Sequence, residues 1–92
     1  MGVDDKKDKV WNLAKKVRGK DPSKVRQDPY GNEIRYSQYG KDTKSGWEID
    51  HIKPSARGGS DATRNLQALK TKINREKGDS LVKKSRHSNN NK

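Results

Sequence analysis

Asp50 and His51 stand side by side, with Asn65 and Asn74 following at intervals of fourteen and nine residues. An imidazole, whose ordinary pKa is about 6.5, can take a proton near neutral pH, which suits it to activating a water. A carboxylate and a carboxamide offer oxygen donors. Such donors suit a hard cation like Mg²⁺, which keeps part of its water shell and binds substrate phosphate. These are the parts that phosphodiester hydrolysis requires: a base for water, a cation for the charge on the phosphorane and leaving oxygen, and groups that hold both. With one anionic ligand, the free protein is expected to hold a metal weakly, and the substrate phosphate would complete the site. His87, in a polar tail, has no partner legible in the sequence.

The elements that must position these residues can be read from local patterns. Trp47 to Ile52 is a β-rich run closed by Pro54, Gly58-Gly59-Ser60-Asp61 marks a loop, and Asn65 to Leu69 reads as a second strand. Lys70 to Lys77 is expected to be a helix ended by Gly78. Strict alternation along a strand would point Asp50 and His51 to opposite faces, so both can serve one site only if the strand twists or ends there. Upstream, Val10, Leu13, Ala14 and Val17 recur at helical spacing with Trp11 beside them, and this helix is expected to run to Gly19 ahead of Asp21-Pro22. Asp28 to Asn32 reads as a turn and Glu33 to Tyr36 as a short strand. The expected class is α+β: a β-hairpin with a long loop plus one helix, supported by the N-terminal helix. A hairpin and one helix bury too little apolar area to stand alone. Trp11 and Leu13 are therefore expected to cover one side of the core, with Leu66, Leu69, Ile73 and Leu81 on the other. Residues 1–9 and the basic tail 83–92 are expected to be disordered, leaving a single domain over 10–82.

Composition narrows the partners. The chain has 92 residues, 23 Lys or Arg against 12 Asp or Glu, a net charge of +11, and only 25% hydrophobic residues. This strong positive excess points to a polyanion, most often nucleic acid. It is uneven: Lys15, Lys16, Arg18 and Lys20 form one unopposed group, Lys83, Lys84, Arg86 and Lys92 another, and the remaining excess lies within residues 50–82. There are no cysteines, which excludes a disulfide and a thiolate zinc site. Neither an apolar span of about 20 residues nor a secretory leader is visible, so no membrane association and a cytoplasmic location are expected.

Residues 46–79 resemble the motif of the HNH endonucleases. The signature is Asp50-His51, then Pro54 and the glycine-rich loop, then Asn65-Leu66-Gln67, then a helix carrying Asn74-Arg75-Glu76-Lys77-Gly78-Asp79. The third motif position is Asn74, so the chain is similar to the HNN variant, and its surroundings are similar to small phage and bacterial members. The resemblance implies a ββα-metal fold and a metal-dependent DNA endonuclease that leaves 5′-phosphate and 3′-hydroxyl ends. It implies His51 as general base, Asp50 and Asn74 as ligands of one divalent ion, Mg²⁺ or Mn²⁺, and Asn65 as the residue that holds the loop to the base-bearing strand. Many members also carry a zinc site on two cysteine pairs. Here the Trp11 helix and the segment around residues 30–40 must stand in for it.

Lys53, Arg57, Arg64, Arg75 and Lys77 are the candidate phosphate contacts, on double-stranded DNA with weak sequence preference, since no base-reading module is evident. The alternative is a basic nucleic-acid-binding module on the same scaffold that does not cut. The charge fits both, but binding alone would not require Asp50, His51, Asn65 and Asn74 together. Oligomeric state and biological system are not legible in the sequence.

Overall fold

A computed structural model describes residues 3–77 and Ser85, so the expectations for Leu81, His87 and the rest of the tail fall outside the described residues. At the centre is an antiparallel hairpin of β4 (Trp47–His51) and β5 (Leu66–Lys70), in register Trp47↔Lys70 through His51↔Leu66. Consecutive burial of Leu66, Gln67, Ala68 and Leu69 shows that both faces of this hairpin are covered. One face supplies Trp47, Leu66 and Ala68 to a core shared with Val10, Trp11 and Ile34. The other carries Glu48 and Asp50 and is covered by α2 (Thr71–Lys77). The α+β class and the finger of hairpin, long loop and helix are as expected.

The first face is closed by α1 (Lys7–Leu13) and an aromatic cluster. The Trp11 and Trp47 rings lie 5.1 Å apart, Trp11 meets Tyr36 edge-on at 5.5 Å, and Tyr39 sits 4.7 Å from Trp47. Such pairs contribute about 0.5–1.5 kcal/mol each beyond the area they bury. The Trp11 helix and the 30–40 segment thus jointly cover the hairpin. The 28–32 turn is tied to β5 by a buried carboxylate, since Asp28 accepts hydrogens from the amides of Tyr30, Asn32 and Lys70.

Three expectations for the N-terminal part are corrected. Of the segment 1–9 expected to be disordered, residues 3–9 are ordered: a 3-10 turn covers Val3–Lys6, α1 follows at once, and Val3 packs against the core. Asp4 and Asp8 accept the phenolic hydrogens of Tyr39 and Tyr36, and Lys7 Nζ lies 4.6 Å from the centre of the Tyr36 ring. The helix also ends at Leu13 rather than Gly19. Ala14 is extended, and Lys15–Lys16 forms β1 of a three-stranded antiparallel sheet with β2 (Val25–Gln27) and β3 (Glu33–Arg35). The cause is Arg26, buried at 7% exposure. Its guanidinium donates to the carbonyls of Asn12, Ala14 and Pro22, satisfying the end of the helix from a strand twelve residues away. Finally, Leu13 does not cover the core; it is 42% exposed, and Val10 and Trp11 do that work.

Candidate active site

His51 is the last residue of β4 and is half-buried, its side chain 24% exposed. The chain bends at Ile52, whose N still donates to Asn65 O at 2.8 Å in register with the hairpin. The His51 Nε2 lies 2.6 Å from Asp61 Oδ1. An ionised carboxylate only accepts, so Nε2–H donates in this contact, and it is the neutral form of the ring that would carry its lone pair on Nδ1.

Asp61 is held where His51 can reach it by Asn65. The Asn65 carboxamide accepts from Lys53 N (2.8 Å) and donates to Lys53 O (3.1 Å) and Ser60 O (2.7 Å), stapling the two ends of the loop between the strands. The loop passes so close that a Cβ on Gly59 would lie 1.8 Å from Lys53 O and 3.0 Å from Asn65 Nδ2. Only glycine permits that approach. Lys6 reaches across to donate to the Asp61 carbonyl, linking the N-terminal turn to the same loop.

Asp50 faces the other way, towards the α2 side. It is 3% exposed, and Gln67, its cross-strand partner, donates to Oδ2 at 2.9 Å. Glu48, two residues earlier and therefore on the same face, accepts from Asn74 Nδ2 at 3.0 Å and from Arg75 Nη2 at 3.0 Å. With its NH₂ group on Glu48, Asn74 keeps its carboxamide oxygen for another partner. The donors on this face are thus carboxylate and carboxamide oxygens, a set that fits a hard cation rather than zinc. Among the described residues no three His, Cys, Asp or Glu side chains converge on one point. A bound cation would accordingly draw its remaining ligands from water and phosphate.

The expected phosphate contacts divide. Lys53 and Arg57 are exposed on the loop that follows His51, and neither forms an ion pair among the described residues. Arg64 is exposed in the 3-10 turn Thr63–Asn65. Arg75 is engaged within the protein, 3.0 Å from Glu48 and 3.8 Å from Asp42. Lys72, at 2.9 Å, holds the exposed Asp42 carboxyl below the usual carboxylate range. Lys77 closes α2.

Three residues of the site were not singled out from the sequence: Asp61, Glu48 and Gln67. Glu48 had a signal, since strand alternation places it on the face of Asp50. Gln67 could be paired with Asp50 only once the register was known. Asp61 followed a Gly-Gly-Ser run and read as a loop former, with nothing in the linear pattern to join it to His51.

No curated protein and no solved structure matches the chain. The family model of the HNH endonucleases matches residues 28–82, a span that takes in β3, the hairpin, the stapled loop, α2 and all of Asp50, His51, Asn65 and Asn74. Over more than half of its length, and in the elements that carry the site, the chain belongs to the HNH endonuclease family.

Proposed function

We propose that the protein is a metal-dependent endonuclease that hydrolyses phosphodiesters of double-stranded DNA, leaving 5′-phosphate and 3′-hydroxyl ends, with His51 as the general base. The observation that carries this reading is the His51 ring at the end of β4, with Nε2 engaged by Asp61 at 2.6 Å. In this reading Nδ1 takes a proton from the water that attacks phosphorus in line, and the Asp61 carboxylate stabilises the imidazolium that forms. Asn65 touches no reacting atom; it fixes the loop that carries Asp61. Asp50 and Asn74 would hold one Mg²⁺ or Mn²⁺, which when bound supplies neutralisation of charge on the phosphate and the leaving 3′ oxygen. Lys53, Arg57 and Arg64 would position the backbone without reading sequence.

The test is supercoiled plasmid incubated with Mg²⁺ or Mn²⁺, with and without EDTA. Metal-dependent nicking is expected, and His51→Ala should reduce it at least about a hundredfold, the usual scale of a lost general base, while leaving the fold and DNA retardation intact. Substantial cleavage by that variant removes His51 from the base role. Retardation without nicking by the parent supports the non-cutting binding module instead. Asp50→Ala should diminish the thermal stabilisation produced by added metal; an unchanged response removes Asp50 from the ligand set.

A further inference from the structure

A cleft of about 440 Å³ opens where residues 31–33 and Arg35 face Lys44, Ser45 and Lys70. Backbone bonds tie its walls together. Arg35 N donates to Ser45 O at 3.0 Å, Lys70 N to Asp28 Oδ2 at 3.1 Å, and Thr71 N to Gly46 O at 2.9 Å. Three cations, Arg35, Lys44 and Lys70, line the recess against one carboxylate, Glu33. None of the three forms an ion pair among the described residues. The neighbouring acids are committed elsewhere: Asp28 to backbone amides, Asp42 to Lys72 and Arg75, Glu48 to Asn74 and Arg75. Like charges gathered in one recess repel one another, and an anion seated between them relieves that repulsion through charge-assisted hydrogen bonds.

We infer that this cleft grips a backbone phosphate of the DNA substrate other than the scissile one. The inference rests on the nuclease reading and adds to it a second point of attachment. Lys70 pairs with Trp47 and Leu66 with His51, so the cleft lies at the opposite end of the β4–β5 hairpin from His51. Four strand residues at about 3.3 Å each separate the two by about 13 Å. A nucleic-acid strand places a phosphate about every 3.4 Å along its axis, so this is the reach of about four nucleotides. A duplex with one phosphate at His51 therefore presents others near Arg35, Lys44 and Lys70, which would set its direction along the finger.

The experiment compares the full chain with Arg35→Gln/Lys44→Gln and with a matched control, Lys9→Gln/Lys16→Gln. The control removes one charge from α1 and one from β1, the far edge of the small sheet. Duplex binding is followed by fluorescence anisotropy between about 50 and 200 mM salt, and cleavage by KM on a short duplex. The cleft variant should lose about one unit of log–log salt slope more than the control, since each phosphate contact contributes about 0.9, and its KM should rise several-fold above the control's. Equal losses in both variants overturn the cleft, because binding then follows bulk charge. Parental slope and KM in the cleft variant also overturn it while leaving the nuclease reading in place. A parent that neither binds nor cuts duplex overturns both. Inorganic phosphate titrated at matched ionic strength separates the remaining source: binding tighter than that of duplex, and lost in the cleft variant, overturns the DNA assignment in favour of a free-anion site.

Discussion

Asp61 Oδ1 lies 2.6 Å from Nε2 of His51, across a loop whose two ends are stapled by a single carboxamide. The contact fixes one ring orientation for the residue proposed as base. Asp61 itself is 66% exposed, so removing its carboxylate leaves no hole in the core. Asp61→Ala should lower kcat about ten- to a hundredfold, the scale seen when a partner that orients a functional imidazole is lost. KM and the thermal midpoint should stay near parental values, and Asp61→Glu should restore part of the rate. A parental kcat in Asp61→Ala would show that the pair does not matter to the reaction.

Asn65 should matter to stability and to rate together. Asn65→Ala removes three hydrogen bonds, at about 0.5–1.5 kcal/mol each, and frees the loop that carries Asp61. A loss of about 2–4 kcal/mol in chemical denaturation is expected, with a fall in cleavage larger than that of Asp61→Ala. Asn65→Asp separates the contributions: it keeps the acceptor for Lys53 N and sets a carboxylate against two carbonyls. It should be no more stable than the alanine variant.

Arg26 closes α1 from a distance. Arg26→Met keeps the stem but leaves the carbonyls of Asn12, Ala14 and Pro22 without their donor, so a loss of about 2–4 kcal/mol is expected. Arg26→Lys should recover little of it, because one ammonium cannot reproduce the fork that serves three carbonyls. Full recovery by lysine would show that charge rather than geometry holds the helix end.

The N-terminal segment should be required for folding. Trp11 is 2% exposed, packs against Trp47 and Tyr36, and donates from Nε1 to Pro22 O at 2.9 Å. Trp11→Ala should cost about 3–5 kcal/mol, and deletion of residues 1–20 should abolish the cooperative unfolding transition. A truncated chain that still unfolds cooperatively would place the stability of the finger in the hairpin and α2 alone.

Alkaline pH should weaken the attachment of the N-terminal turn. Burial pushes the Tyr39 phenol well above its ordinary value of about 10, and Asp4, which accepts its hydrogen, pushes it the same way. The folded chain thus keeps a proton that the unfolded chain releases. Stability from this group is fully present below pH about 10 and is lost as pH rises above it. Tyr39→Phe should flatten the fall in denaturation midpoint between pH about 9 and about 11 relative to the parent; parallel curves would exclude Tyr39 as the source.

The sequence by itself determined the finger and the identity of its chemical groups. Strand alternation in Trp47 to His51, the glycines of the loop, the Asn65-Leu66-Gln67 run and the closing helix are short-range signals, set by side-chain period and backbone freedom, and they survive folding with shifts of about one residue. The tertiary structure alone decided which of these groups meet. α1 ends at Leu13 because the Arg26 guanidinium reaches its carbonyls from another strand, overriding a helical periodicity that continues to Val17. His51 finds Asp61, and the Asn74 amide turns to Glu48, through contacts that span ten and twenty-six residues. Asp4 and Asp8 accept the phenolic hydrogens of Tyr39 and Tyr36, so a stretch that is polar and charge-balanced in the chain becomes, from Val3 on, part of the folded unit. Such partnerships are made by burial and hydrogen bonding between distant segments, and no local period records them.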